Sequence, residues 1–166
     1  MAIAESILQE LEQEAATTRR VLERVPEDKL SWQPHQKSMT LGQLANHVAG
    51  VPGDIASITT GDEFDFANFP QSDPAVTTAD LLARHDASVA KAKDILSGTD
   101  DARATSPWKG LMGGQEMMTI PRVGVFRSLM LNHWIHHRGQ LSVYLRLLDV
   151  PVPSIYGPSA DENPFG

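Results

Sequence analysis

The sequence predicts an all-α fold: a four-helix bundle with a long crossover connection between its second and third helices and an irregular C-terminal tail. Three observations predict it. Four segments repeat apolar residues at steps of three and four, no segment shows a convincing period-two alternation, and the connection from residue 60 to residue 77 is long for helices that merely turn back on each other. Each amphipathic helix has an apolar stripe to bury, and four stripes of similar length bury one another in a bundle.

The first helix places Ile3, Ile7, Leu11, Ala15, Thr18, Leu22 and Val25 on one side, with Glu and Arg between them, until Pro26 closes the pattern. The second opens at Thr40, where "TLGQ" has the form of a capping box, and aligns Leu44, Val48, Val51, Ile55 and Ile58. Pro52 and Gly53 are expected to kink it or end it early. The third follows Thr77 and Thr78 to about Leu96, with Leu81, Leu82, His85, Val89, Ala92, Ile95 and Leu96 inward and Gly98 as its stop. The fourth starts near Pro121 and continues to about Leu148, where "DVPVP" terminates it.

A crossover along the bundle leaves the second and third helices parallel. Residues 99 to 118, "TDDARATSPWKGLMGGQEMM", are expected to form a structured loop over one bundle end. The tail from Pro151 to Gly166 holds too many prolines for a helix, so it packs as irregular chain or stays loose. No repeat of 20 to 50 residues is visible, and 166 residues fit one domain, 1–166, since a domain takes roughly 100 to 200.

Composition narrows the chemistry. With 41% hydrophobic and 21% charged residues the chain has an ordinary globular balance, and no stretch approaches the ~20 consecutive apolar residues of a membrane span. The N-terminus "MAIAESILQELEQ" lacks the basic start of a secretory signal, which makes a cytoplasmic location the expectation. There is no cysteine, so disulfides, zinc thiolates and protein thiol nucleophiles are excluded. A formal charge of −7 without a Lys/Arg cluster argues against nucleic acid as a partner.

The segment "LNHWIHHRGQ" sets three histidines within five positions of the last helix. Residues four apart share a helix face, with Cβ atoms about 5 to 6 Å apart, so His133 and His137 can aim at one ion. On that helix Phe126, Leu129, Met130, Leu141, Tyr144, Leu145 and Leu148 form the apolar stripe, and the pair fills its gap. Buried imidazoles need polar partners. His47, three after Leu44 and four before Val51, lies on the inner side of the second helix and supplies the third ring. Two readings stay open on these residues: a metal held by His47, His133 and His137, or histidines hydrogen-bonded to one another, to backbone or to water.

The remaining candidates surround this set. His136 faces about a quarter turn away, behind the ligands or at the surface; His85 is a fourth ligand or a core histidine; His35 sits in an exposed loop. Gln140 and Tyr144 follow His137 on its face and line a pocket, or else make an interhelical hydrogen bond and ordinary packing. Arg138 contacts an anionic substrate or forms an exposed ion pair, and Trp32 and Trp108 cover the site or belong to the core. Tyr156, Asp161 and Glu162 in the tail approach the site or a second subunit.

The stretches "SWQPHQKSMTLGQLANHVAG" and "LNHWIHHRGQLSVYLRLLDVPVPSIYGPSADE", with their separation, resemble the DinB-like superfamily of DNA-damage-inducible bacterial proteins. The resemblance covers nearly the whole chain, while residues 60 to 120 are generic. It implies a four-helix bundle with a crossover, commonly a homodimer, holding a divalent metal such as nickel or zinc through three histidines. By motif position these are His47, His133 and His137. Characterised relatives include metal-dependent transferases and isomerases that use a low-molecular-weight thiol such as bacillithiol, mycothiol or glutathione.

Three neutral imidazoles leave coordination positions open, as in a catalytic site. The leading expectation is a metal-dependent transferase acting on a small-molecule substrate with an external thiol, a cofactor compatible with a cysteine-free chain. A metal-dependent hydrolase is the alternative, weakened because no carboxylate base lies within one turn of the three histidines. A non-catalytic metal-binding stress-response protein is the third. Imidazole must be neutral to bind, so a metal held by these three rings is expected to be released on acidification through about pH 5 to 6, the range of ordinary rings.

Overall fold

The fold is given by a computed structural model that describes residues 2–69 and 77–165. It is mostly helical. In chain order come α1 (Ile3–Leu22), α2 (Leu41–Ile58), β1 (Glu63–Asp65), α3 (Thr78–Ser97), α4 (Asp101–Thr105), β2 (Pro107–Met112), β3 (Gln115–Pro121) and α5 (Arg122–Gly124). A π-helical stretch, Val125–Asn132, then leads into α6 (His133–Leu147).

Local chemistry starts the helices where the sequence indicates. The Thr40 hydroxyl accepts from the Gln43 amide at 3.2 Å and the Gln43 side chain accepts from the Thr40 amide at 2.9 Å, a reciprocal cap on α2. Thr77 and Asp80 repeat the arrangement on α3 at 3.1 and 3.0 Å. Polar contacts give the relative directions. Arg84 reaches the Asn46 carbonyl and Ser88 the Gly50 carbonyl, so residue numbers rise together and α2 runs parallel to α3. Lys93 pairs with Glu12 and Arg19 with Asp86, which sets α1 antiparallel to α3. His47 meets His133 while Tyr144 meets Met39, so α6 runs against α2.

α2 does not end early at Pro52 but runs on to Ile58, which removes one of the two outcomes, a kink or an early end, expected from Pro52 and Gly53. Proline removes the amide that would bond the carbonyl four residues back, which is that of Val48. Trp134 takes its place: its indole Nε1–H donates to the Val48 carbonyl at 2.7 Å. The next amide, Gly53, donates to the Ser88 hydroxyl at 2.7 Å, and that hydroxyl donates to the Gly50 carbonyl at 2.7 Å. Neighbouring helices thus fill the opened ladder. Glycine is required for the approach, since a Cβ on Gly53 would stand 2.7 Å from the Ser88 carbonyl oxygen.

Strands are present, which corrects the all-helical expectation and the loop assigned to residues 99 to 118. β2 and β3 form an antiparallel hairpin and β1 joins β2 in parallel, giving the order β1-β2-β3. The hairpin turns at Gly113 and Gly114, whose φ of 59° and 79° suits the left-handed geometry of a two-residue turn. Trp108 and Gly110 face inward on β2, with Met118 and Ile120 opposite. One inward position being glycine, the alternation does not register as apolar. The sheet and α4 fill the space beside the C-terminal end of α2, where Trp108 Nε1 donates to the Ile58 carbonyl at 2.9 Å.

The core is one connected cluster of buried apolar residues from α1, α2, α3, Trp108, the π-helical stretch and α6. The last helical run differs from a plain helix. Its buried line passes through Phe126, Met130, Trp134, Arg138, Leu141 and Leu145. Leu129, Tyr144 and Leu148 only flank the core. The π-helical bonds upstream change the phase with which side chains meet the core. The tail is irregular and tied down: Arg146 pairs with Asp161 and Arg20 with Glu162. Those carboxylates also accept from the Val152 amide at 2.8 Å and the Ser154 amide at 2.5 Å. Among the described residues no helix is long and apolar enough to cross a membrane.

Candidate metal centre

His47 comes from the middle of α2, and His133 and His137 from the first two turns of α6. The Nε2 atoms of His47 and His133 are 2.9 Å apart, and one nitrogen from each of the three rings lies within 4.8 Å of the others. Their ring centroids are separated by 4.4 to 5.1 Å, with edges turned toward neighbouring faces. Two nitrogens bound 2.0 to 2.1 Å from one ion at adjacent positions stand about 3 Å apart. The donor set therefore fits a divalent cation, and the three histidines form a group that could hold one.

All three rings are half-buried, so the pair on α6 sits at the core margin while Trp134 and Arg138 beside it are fully buried. Burial, then the charges His137, His133 and Arg84 would carry, push His47 from 6.5 to about 4. Burial is also the largest cause lowering His133 and His137. The consequence is a cluster of neutral imidazoles at neutral pH, the form that binds metal. Gln140 orients one of them: its Oε1 lies 2.7 Å from His137 Nδ1, so it accepts the ring proton and leaves Nε2 as the free donor.

The other candidates divide. His136 is exposed, its ring 5.0 Å from that of His137. His35 is exposed as expected. Tyr144 donates to the Met39 carbonyl at 3.2 Å and packs edge-on against Trp32 at 5.6 Å, a contact that ties the start of α2 to α6. His85 stands outside the group of three converging rings. It is buried between α1 and α3, with Nδ1 3.1 Å from the Asp86 carboxylate and its ring 6.1 Å from that of Trp134. Trp108 does not cover the site either: its partner Ile58 is eleven residues beyond His47 on α2, about 16 Å along the axis.

Arg138 is neither exposed nor turned to a substrate. At 1% exposure it pairs with Glu14 at 2.5 Å, donates to the Thr18 hydroxyl at 3.1 Å and to the Tyr156 hydroxyl at 2.7 Å. Tyr156 in turn donates to Glu14 at 2.9 Å, so the tail closes this buried ion pair and does not enter the histidine cluster. Asp161 and Glu162 serve as tail anchors. Sequence reasoning passed over Arg84, Gly50 and Asp54. Their contact joins two helices, and no local spacing within either one announces it.

A mostly helical chain in which two helices gather three imidazoles defines a class of protein with a histidine triad that could hold a metal ion. The chain belongs to the DinB family, whose family model matches residues 1–163. It is similar to the uncharacterized protein YrdA of Bacillus subtilis (strain 168), with 28% identity over 157 residues that span 93% of this chain and 89% of YrdA. Its fold is shared by a DinB-like protein from Bacillus cereus ATCC 10987, with a TM-score of 0.72 at 21% identity over 92% of this chain and 97% of the other. It is also shared by the DinB-like protein YjoA from Bacillus subtilis, with a TM-score of 0.70 at 19% identity, covering 88% and 96% respectively.

Proposed function

We propose that the protein is a metal-dependent transferase that joins a low-molecular-weight thiol to an electrophilic small molecule, with zinc or nickel held by His47, His133 and His137. The observation that carries this reading is the convergence of three imidazole nitrogens within 4.8 Å at the core margin. A divalent ion bound there would lower the pKa of a thiol and supply a nucleophile near neutral pH.

The chain's own residues prepare the site. Burial keeps the rings unprotonated, Gln140 sets the His137 tautomer, and Trp134 with Arg138 fixes the rotation of α6 that presents both of its histidines. In the transfer, the thiol sulfur forms a bond to the electrophilic carbon, the leaving group departs with its bonding pair, and the thiol proton passes to water. Among the described residues the group of converging donor atoms contains no carboxylate, which supports thiol chemistry over hydrolysis by a water that needs a carboxylate base beside it. The same reading takes the chain as a homodimer, with Val143 and Leu147, both exposed on α6, on the contact face.

The test is a conjugation assay with bacillithiol, mycothiol and glutathione against a panel of electrophiles, using zinc- and nickel-loaded protein. Metal-dependent turnover with one thiol, lost in His47→Ala, is expected. No turnover above the metal-free protein with any of the three contradicts the transferase reading.

A further inference from the structure

Arg84 stands on α3 with its guanidinium laid across α2 one turn beyond His47. Nε donates to the Asn46 carbonyl at 3.2 Å and Nη2 to the Asp54 carboxylate at 2.8 Å. Gly50 makes the approach possible, because a Cβ there would stand 2.2 Å from Nη2 and 2.7 Å from the central guanidinium carbon. The side chain is 28% exposed. Among the described residues its Nη1 donates no hydrogen bond to protein, so two N–H donors of a clamped fork remain for something else.

The placement selects what that is. His47 and Gly50 are three residues apart on α2, which sets the guanidinium about 5 Å along the axis from the histidine. A planar, weakly hydrated cation held rigid on two edges suits a carboxylate. Farther along the same helix, away from the histidines, a cavity of about 300 Å³ is lined by Asp54, the partner of Arg84, with Ile58, Phe64, Phe69 and Lys91 among others.

We propose that Arg84 is the anion-binding residue of the histidine site, receiving a carboxylate on a molecule whose other end meets the metal. The position of that other end rests on the metal-centre reading above. The substrate class is thus narrowed to carboxylate-bearing thiols, or carboxylate-bearing electrophiles joined to them.

The test compares 3-mercaptopropionate with its carboxylate-free counterpart 2-mercaptoethanol, each titrated into the zinc-loaded and the metal-free full chain. Binding is followed by NMR at the Gly50 amide and Arg84 Nε–H. Zinc-loaded wild type is expected to bind 3-mercaptopropionate about tenfold more tightly, the scale of one charge-assisted hydrogen bond. Arg84→Gln should abolish the preference while 2-mercaptoethanol binds as before. Gly50→Ala, which displaces the guanidinium and leaves both charges in place, should do the same and covers the case in which Arg84→Gln fails to fold. An undiminished preference in either folded variant, or none in wild type, overturns the proposal. If zinc does not bind, the metal reading fails by itself, and the metal-free arm decides this one: succinate, added there as a probe, must shift the Gly50 amide in wild type and not in Gly50→Ala or Arg84→Gln.

Discussion

His47 shows how one side chain records its surroundings. Its lowering to about 4 comes from burial first and from neighbouring cationic groups second, and burial likewise leads for His133 and His137. In the unfolded chain each imidazole takes up its proton near 6.5, whereas in the fold each holds out to lower pH. The unfolded state therefore binds more protons over that interval, so stability of the metal-free protein falls as pH drops from 6.5 toward 4 and is untouched by these groups above it. Urea midpoints measured at several pH values should decline through that window, less in His47→Ala than in wild type. The same shift moves acid release of a bound metal below the pH 5 to 6 expected of ordinary rings, roughly toward His47's value. Retention at pH 6 and loss near pH 4, followed by dialysis and metal analysis, is the expected result.

At the scale of elements, the junction of Pro52 with Trp134 decides whether α2 continues. Trp134→Phe strands the Val48 carbonyl and should cost about 1 to 3 kcal/mol for the unpaired group, with lost packing in addition. In a Pro52→Ala background residue 52 regains an amide that can bond Val48, so the same substitution should cost less. Equal costs in both backgrounds, by urea unfolding, would contradict the account. This junction also shows what was legible in the sequence. The three-to-four residue spacing located the long helices, and the gap in the last stripe pointed to His133 and His137, because both are local patterns. Continuation of α2 through proline was not legible, since its support lies 86 positions away. The hairpin carried a signal in Gly113-Gly114 that went unused because Gly110 broke the apolar alternation beside it. The π-helical stretch has no compositional sign, and its change of phase is why Trp134 and Arg138, rather than the histidines, occupy the deepest line.

Over the whole molecule, the buried Glu14–Arg138 pair ties α1, α6 and the tail together, with Tyr156 bonded to both partners. Glu14→Gln leaves the Arg138 charge buried without its counterion and should cost on the order of 3 to 5 kcal/mol. Arg146→Ala removes a tail anchor whose side chain is 47% exposed and screened by solvent, and should cost much less. Chemical denaturation of the two variants separates a structural lock from a surface contact, and a Glu14→Gln cost no larger than that of Arg146→Ala would remove the lock from the account. The partner of Arg138 is 124 positions distant, which is why the sequence offered only an anionic substrate or an exposed ion pair for it.

The proposed function requires that His47, His133 and His137 bind one divalent ion together. Metal analysis of the purified full chain, beside His133→Ala prepared in the same way, tests it most directly. One zinc or nickel ion per chain in wild type and a large loss in the variant is the predicted result. Equal metal content in the two proteins, with the variant shown to be folded, would contradict it.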